Sequence, residues 1–144
     1  MFRKFIITSA IATTIAFATV PAMASGIHVH QFGWFNQAGG AQIGFNNQIG
    51  IFQNGFRNTG TSKQFGNNNV AAIGQEGFNN VAGTYQTGNG NAAGVGQFGS
   101  NHNAILTQDG SNNIVAGVQV GNGCDAAVTQ HGAGNVAAFV QTCP

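Results

Sequence analysis

Charge is what this chain has least of. Only 5% of its residues are Asp, Glu, Lys or Arg. Beyond residue 24 they are Arg57, Lys63, Glu76, Asp109 and Asp125. Gripping phosphates takes a cluster of Lys and Arg, so this scarcity argues against nucleic-acid binding. Three scattered carboxylates do not make a pair of catalytic acids. No nucleophile beside a base, no phosphate-cradling loop and no Asp-rich calcium repeat occurs. We expect no catalytic, cofactor or metal site; His28-x-His30 is a weak metal pattern, and His102 and His131 stand apart from it. Proline is confined to Pro21 and Pro144, so nothing between them bars β pairing. The only cysteines are Cys124 and Cys143.

The first residues are of another kind. Arg3 and Lys4 precede an apolar stretch from Phe5 to Val20, then Pro21 and the small-x-small run Ala22-Met23-Ala24. That pattern is a secretory signal peptide, cleaved after Ala24. A membrane anchor competes with this reading, but Thr and Ser interrupt the stretch and a cleavage motif ends it. The expected division is a signal peptide over 1–24, a short segment over 25–30, a repeat region over 31–141 and a tail over 142–144.

What the chain has in abundance is Gly, Asn, Gln and Ala. Such composition suits either disorder or a repeat protein, and periodicity decides between them. Gln recurs every eleven residues without a slip, at Gln31, Gln42, Gln53, Gln64, Gln75, Gln86, Gln97, Gln108, Gln119, Gln130 and Gln141. Two residues after each of the first ten comes glycine: Gly33, Gly44, Gly55, Gly66, Gly77, Gly88, Gly99, Gly110, Gly121 and Gly132. Three residues further lies Asn in eight of ten units: Asn36, Asn47, Asn58, Asn69, Asn80, Asn91, Asn113 and Asn135. The exceptions are His102 and Cys124. Two residues beyond that slot, seven of ten units carry Ala. The unit is Q-x-G-x-x-N-x-A-x-x-x, and a disordered tract has no reason to hold such a register.

Each unit reads as one turn and one strand. G-x-x-N makes a tight turn, helped by Asn or Gly before the Asn in eight of ten units. The seven residues from Asn to the next Gln are extended. Alternation puts Asn, Ala, a mostly apolar slot (Ile51, Ile73, Val95, Leu106, Val128, Phe139) and Gln on one face, a narrow interior. The expected fold is all-β: a β-solenoid of about five two-strand rungs, 22 residues per rung, about 24 Å tall, and cross-β on polymerisation. Stacked Gln and Asn would then form amide ladders that satisfy themselves along the axis.

The unit resembles the curlin repeat, a Ser followed by Gln-x-Gly-x-x-Asn-x-Ala-x-x-x-Gln. Good matches are Gln64-Phe65-Gly66-Asn67-Asn68-Asn69-Val70-Ala71 running to Gln75, and Gln75-Glu76-Gly77-Phe78-Asn79-Asn80-Val81-Ala82 running to Gln86. The likeness spans residues 31–141. It implies a structural subunit of extracellular curli-type amyloid fibres on a Gram-negative cell surface, serving biofilm matrix and adhesion. The implied partners are further copies of the chain, a nucleator subunit and outer-membrane secretion machinery. The minor nucleator is the alternative identity within the family; a surface- or ice-binding solenoid is the alternative outside it, and the irregular Thr positions argue against that. Two departures stand out. Only Ser25 to His30 precede Gln31, where the family's major subunits have a longer Gly-rich segment, and curlins rarely carry cysteine.

No capping helix is read after Phe139-Val140-Gln141, so both solenoid ends are expected to be open to further copies. One outer face carries Val70, Ala72, Ile114, Ala116, Val118, Val136, Ala138 and Val140, and is expected to support lateral contact between fibres; ordinary exposed aliphatics are the alternative. Trp34, Phe56 and Phe78 share a turn slot and should stack. Glu76, Asp109 and Asp125 are expected gatekeepers that slow premature assembly. Cys124 takes an Asn slot and Cys143 a Gly slot. They would lie about 7 Å apart, near the upper limit for a disulfide. An internal bridge, free thiols and a bond between subunits all remain open at this level.

Overall fold

The computed structural model describes residues 26–144; the signal peptide expected over 1–24 lies outside the described residues. Eleven strands follow one another: β1 Ile27–Trp34, β2 Gln37–Ile43, β3 Gln48–Phe56, β4 Thr59–Asn67, β5 Val70–Phe78, β6 Val81–Asn89, β7 Ala92–Ser100, β8 Asn103–Ser111, β9 Ile114–Asn122, β10 Asp125–Ala133 and β11 Val136–Cys143. Odd strands form a six-stranded parallel sheet and even strands a five-stranded one. Every strand pairs with the next but one at a register of 22 residues, as in Gln53↔Gln75 and Gln64↔Gln86. The chain is a β-solenoid of about five turns with two strands per rung.

The sheets face each other through a thin core. Ile49, Ile51, Ile73, Val95, Leu106 and Val115 fill it between Ala71, Ala82, Ala93 and Ala104. Small residues at the Ala slot bring the sheets together, and the branched residues interdigitate in the space left. Phe139 is the largest side chain at its slot, and Gly117 stands directly below it. A Cβ at Gly117 would fall 1.9 Å from the Phe139 ring, so the ring occupies the volume that glycine leaves.

Two expectations about the unit need correction. The strands mostly run nine residues, starting after the Asn and continuing past the Gln through the glycine, rather than seven from Asn to Gln. Residues 27–30 are not a separate lead-in; they extend β1 and pair Ile27↔Ile49 and Val29↔Ile51.

The bend explains the longer strands. From Gly33 to Gly121 each repeat glycine has positive φ, and a Cβ there would lie about 2 Å from the carbonyl oxygen one rung along. Backbone stacks on backbone around the corner, and only glycine allows that approach. The residue before the Asn slot also has positive φ in all ten units, including Phe35 at 58° and Arg57 at 59°. Those two adopt a conformation their side chains disfavour because the stacked rungs impose it.

Candidate functional site

The residues singled out by the eleven-residue period line the interior and its two open ends. In each sheet the Gln side chains form a continuous column. Nε2 of each donates to Oε1 of the Gln one rung toward the C-terminal end, at 2.7–3.0 Å, from Gln31 to Gln141 in one sheet and from Gln42 to Gln130 in the other. The second Nε2 hydrogen crosses the interior to a backbone carbonyl of the opposite sheet, as in Gln75 to Thr59 O at 2.9 Å and Gln86 to Val70 O at 3.0 Å. Gln53, Gln64, Gln75, Gln86, Gln97, Gln108 and Gln119 are fully buried. Burying an amide is costly unless all its groups are paired, and this geometry pairs them.

The Asn column works differently from the expected amide-on-amide ladder. From Asn36 to Asn113 each Asn Oδ1 accepts the backbone N–H of the residue at the next Asn slot, as Asn58 accepts from Asn80 at 3.1 Å, and only the last, Asn135, donates its Nδ2 to the Asn113 side chain. In the others Nδ2 donates to the glycine carbonyl one rung on, as Asn58 to Gly77 O at 3.0 Å and Asn91 to Gly110 O at 3.0 Å. Asn thus ties side chain to main chain at the bend. His102 substitutes at this slot while 1% exposed. Its Nδ1 accepts Cys124 N–H at 3.1 Å, which leaves Nε2–H to donate to Phe98 O at 3.2 Å.

The last bend is closed covalently. Cys124 and Cys143 form a disulfide with Cα atoms 5.6 Å apart, closer than the 7 Å diagonal expected, and separated by 19 residues. Nineteen is also the separation of each Asn Nδ2 from its glycine carbonyl, as in Asn113 to Gly132. The bridge stands where other rungs have that hydrogen bond.

The ends leave specific groups unmet. At the N-terminal end, Gln42 Oε1 is buried with no hydrogen-bond partner, the only such side-chain atom among the described residues. At the C-terminal end, Gln130 Nε2 donates to Ile114 O and Gln141 Nε2 to Asp125 O. A primary amide has two hydrogens, so each keeps one for a rung that this chain does not supply. The strand edges of β1, β2, β10 and β11 add rows of backbone donors and acceptors.

On the outside, Val70, Ile114, Val118, Val120, Val136 and Val140 of the six-stranded sheet are exposed large apolar residues. Phe56 and Phe78 stack at 5.5 Å with planes 3° apart, but the ring that meets Phe56 from the N-terminal side is Phe35, edge-on at 5.3 Å, rather than Trp34. Glu76, Asp109 and Asp125 take outward slots. Asn54 donates to Glu76 at 3.4 Å, Asn103 to Asp125 at 3.0 Å, and His131 lies 3.6 Å from Asp109. Among the described residues no three His, Cys, Asp or Glu side chains converge to hold a metal.

The curlin associated repeat matches this chain three times, over residues 44–77, 66–99 and 77–110. The chain belongs to the curlin family. The matched stretches contain Gln53, Gln64, Gln75, Gln86, Gln97 and Gln108, six of the seven fully buried Gln of the two columns. Curlins are structural rather than enzymatic, components of extracellular curli fibres, and this chain is of the curli-type amyloid subunit class. No curated protein and no solved structure matches it.

Proposed function

We propose that this curlin is a bulk structural subunit of extracellular curli-type fibres in a biofilm matrix. It is exported after removal of residues 1–24 with the help of outer-membrane secretion machinery, and it grows by end-to-end stacking of rungs onto a nucleator and then onto itself. The observation that carries this reading is the pairing of needs at the two ends. A buried acceptor, Gln42 Oε1, lacks a donor at one end. Spare Nε2 hydrogens on Gln130 and Gln141 face out at the other. A soluble monomer would leave the acceptor permanently unsatisfied, at a cost of about 1–3 kcal/mol. The bulk role over the nucleator role is favoured by the unbroken Gln columns, which make both ends competent to propagate.

The test is to purify residues 25–144 and follow thioflavin fluorescence with and without preformed seeds, then record fibre diffraction. Spontaneous fibres, a lag abolished by seeds and a meridional reflection near 4.7–4.8 Å are expected. A stable soluble monomer without cross-β diffraction would overturn the reading.

A further inference from the structure

Six strands lie in one sheet and five in the other. An end-to-end fibre, the reading proposed above on which this inference rests, has to continue both sheets at one spacing. Neighbouring strands sit about 4.8 Å apart. Copies stacked by translation alone would ask the six-stranded sheet to advance about 29 Å per copy and the five-stranded sheet about 24 Å. Both cannot hold. Every junction would carry a strand-wide gap in one sheet, with the edges of β10 and β2 facing each other unpaired.

We propose that consecutive copies in the fibre are related by a half turn about its axis, so that the six-stranded sheet of one copy is continued by the five-stranded sheet of the next. Two copies then contribute eleven strands to each sheet, and the gap disappears. The rise is about 26 Å per copy and about 53 Å per full repeat. The chain already performs this operation internally, since each strand lies in the sheet opposite its predecessor. A neighbouring copy takes the next step: its β1 pairs with β10 and its β2 with β11. Such a head-to-tail contact does not close on itself and extends as a filament.

Side chains at the ends fit this arrangement. With β2 on β11, Gln42 of the added copy sits directly over Gln141. The spare Gln141 Nε2 hydrogen then meets the orphaned Gln42 Oε1. With β1 on β10, Gln31 sits over Gln130, and both columns run on. Under translation Gln42 would instead face Gln130 across the missing strand, about two strand spacings away. Shape agrees as well. The Phe139 ring already fills the space over Gly117. In the half-turn arrangement its next neighbour along the axis is Gly40; under translation it is Val29, which shares its slot through Val29↔Ile51.

The arrangement changes what the fibre shows to its surroundings. The apolar outer face bearing Val118, Val136 and Val140 emerges on opposite sides in successive copies. Each side therefore repeats this valine-rich patch about every 53 Å, alternating with the outer face of the five-stranded sheet, which exposes Ile43, Val81, Tyr85 and Ile105.

Helical reconstruction by electron cryo-microscopy of fibres grown from residues 25–144 tests this. A rotation close to 180° with a rise of about 26 Å per copy is expected. Ordered fibres whose copies repeat without rotation overturn the half turn and leave the fibre reading standing; a chain that forms no fibres overturns both. Deleting one unit, residues 75–85, leaves ten strands, and its fibres should repeat at about 24 Å with no half turn. Deleting two units, residues 75–96, leaves nine strands and should restore the half turn at about 22 Å. A half turn kept by the ten-strand variant refutes the counting argument.

Discussion

The bend glycines and the outer-face glycines respond oppositely to the same substitution. Gly77 has φ of 127°, and a Cβ there would lie 1.9 Å from Gly99 O, a backbone atom that cannot swing aside. Gly94 has nothing within 4 Å of its Cβ position and an ordinary φ. For Gly77→Ala, the unfavourable backbone conformation costs about 1–2 kcal/mol. Relieving the clash pushes the rungs apart at that corner. The hydrogen bonds there include Asn58 Nδ2 to Gly77 O at 3.0 Å and Asn80 Nδ2 to Gly99 O at 3.0 Å. Losing two such bonds adds about 1–3 kcal/mol. The total is about 2–5 kcal/mol. For Gly94→Ala the folded state is undisturbed and the unfolded chain loses freedom, a gain of about 0.4–1 kcal/mol. The assay is the concentration of soluble protein left when fibre growth stops, checked by guanidinium denaturation followed by circular dichroism. Each 1.4 kcal/mol is tenfold, so Gly77→Ala should raise the residual concentration by about 25-fold or more, while Gly94→Ala should lower it up to about fivefold. Equal residual concentrations for the two variants would refute the claim that backbone stacking at the bend sets the glycine requirement.

Arg57→Asn tests imposed strain. Relief of positive φ gains about 1 kcal/mol, and loss of the guanidinium lying 5.1 Å over the Phe56 ring costs about 0.5 kcal/mol. A net stabilisation of about 0.5 kcal/mol should appear as a higher denaturation midpoint, and a clear drop would count against the strain. His102→Ala removes the acceptor for Cys124 N–H and the donor to Phe98 O, and should cost about 2–4 kcal/mol. His102→Asn restores the common pattern and should lie within about 1 kcal/mol of the parent; denaturant melts separate the two, and equal losses would show that the hydrogen bonds do not matter. Changing Asp109 and Asp125 to Asn turns the net charge beyond residue 24 from −1 to +1. Its size is unchanged, so a lag shortened severalfold would report local gatekeeping, and an unaltered lag would remove that role.

The period in Gln, Gly and Asn made the sheets, the rung length and the stacking register legible from sequence, because one slot in each unit carries a residue the geometry demands. What it hid depended on reach. Asn is one methylene shorter than Gln, so its amide stays beside the backbone and bonds there, whereas Gln spans to its counterpart. Both look alike as columns in a sequence. Residues 27–30 went unrecognised as strand because Ser25 and Ile27 replace the Asn and Ala that mark a unit's start elsewhere. Phe35 replaces Trp34 in the ring stack because one residue's shift at the bend decides which side chain points along the axis. The fit of Phe139 over Gly117 did leave a trace: the largest residue at that slot follows the smallest by 22 positions.

The Gln columns also have a direction. All nine side-chain bonds run from an Nε2 toward the C-terminal end. Amide dipoles of about 3.5 D thus add head to tail in a dry interior, as they do along a helix axis. The solenoid becomes an electrostatic arrow, partly positive at its C-terminal tip and partly negative at its N-terminal tip. A newcomer in the correct orientation is attracted, and a reversed one meets a like pole.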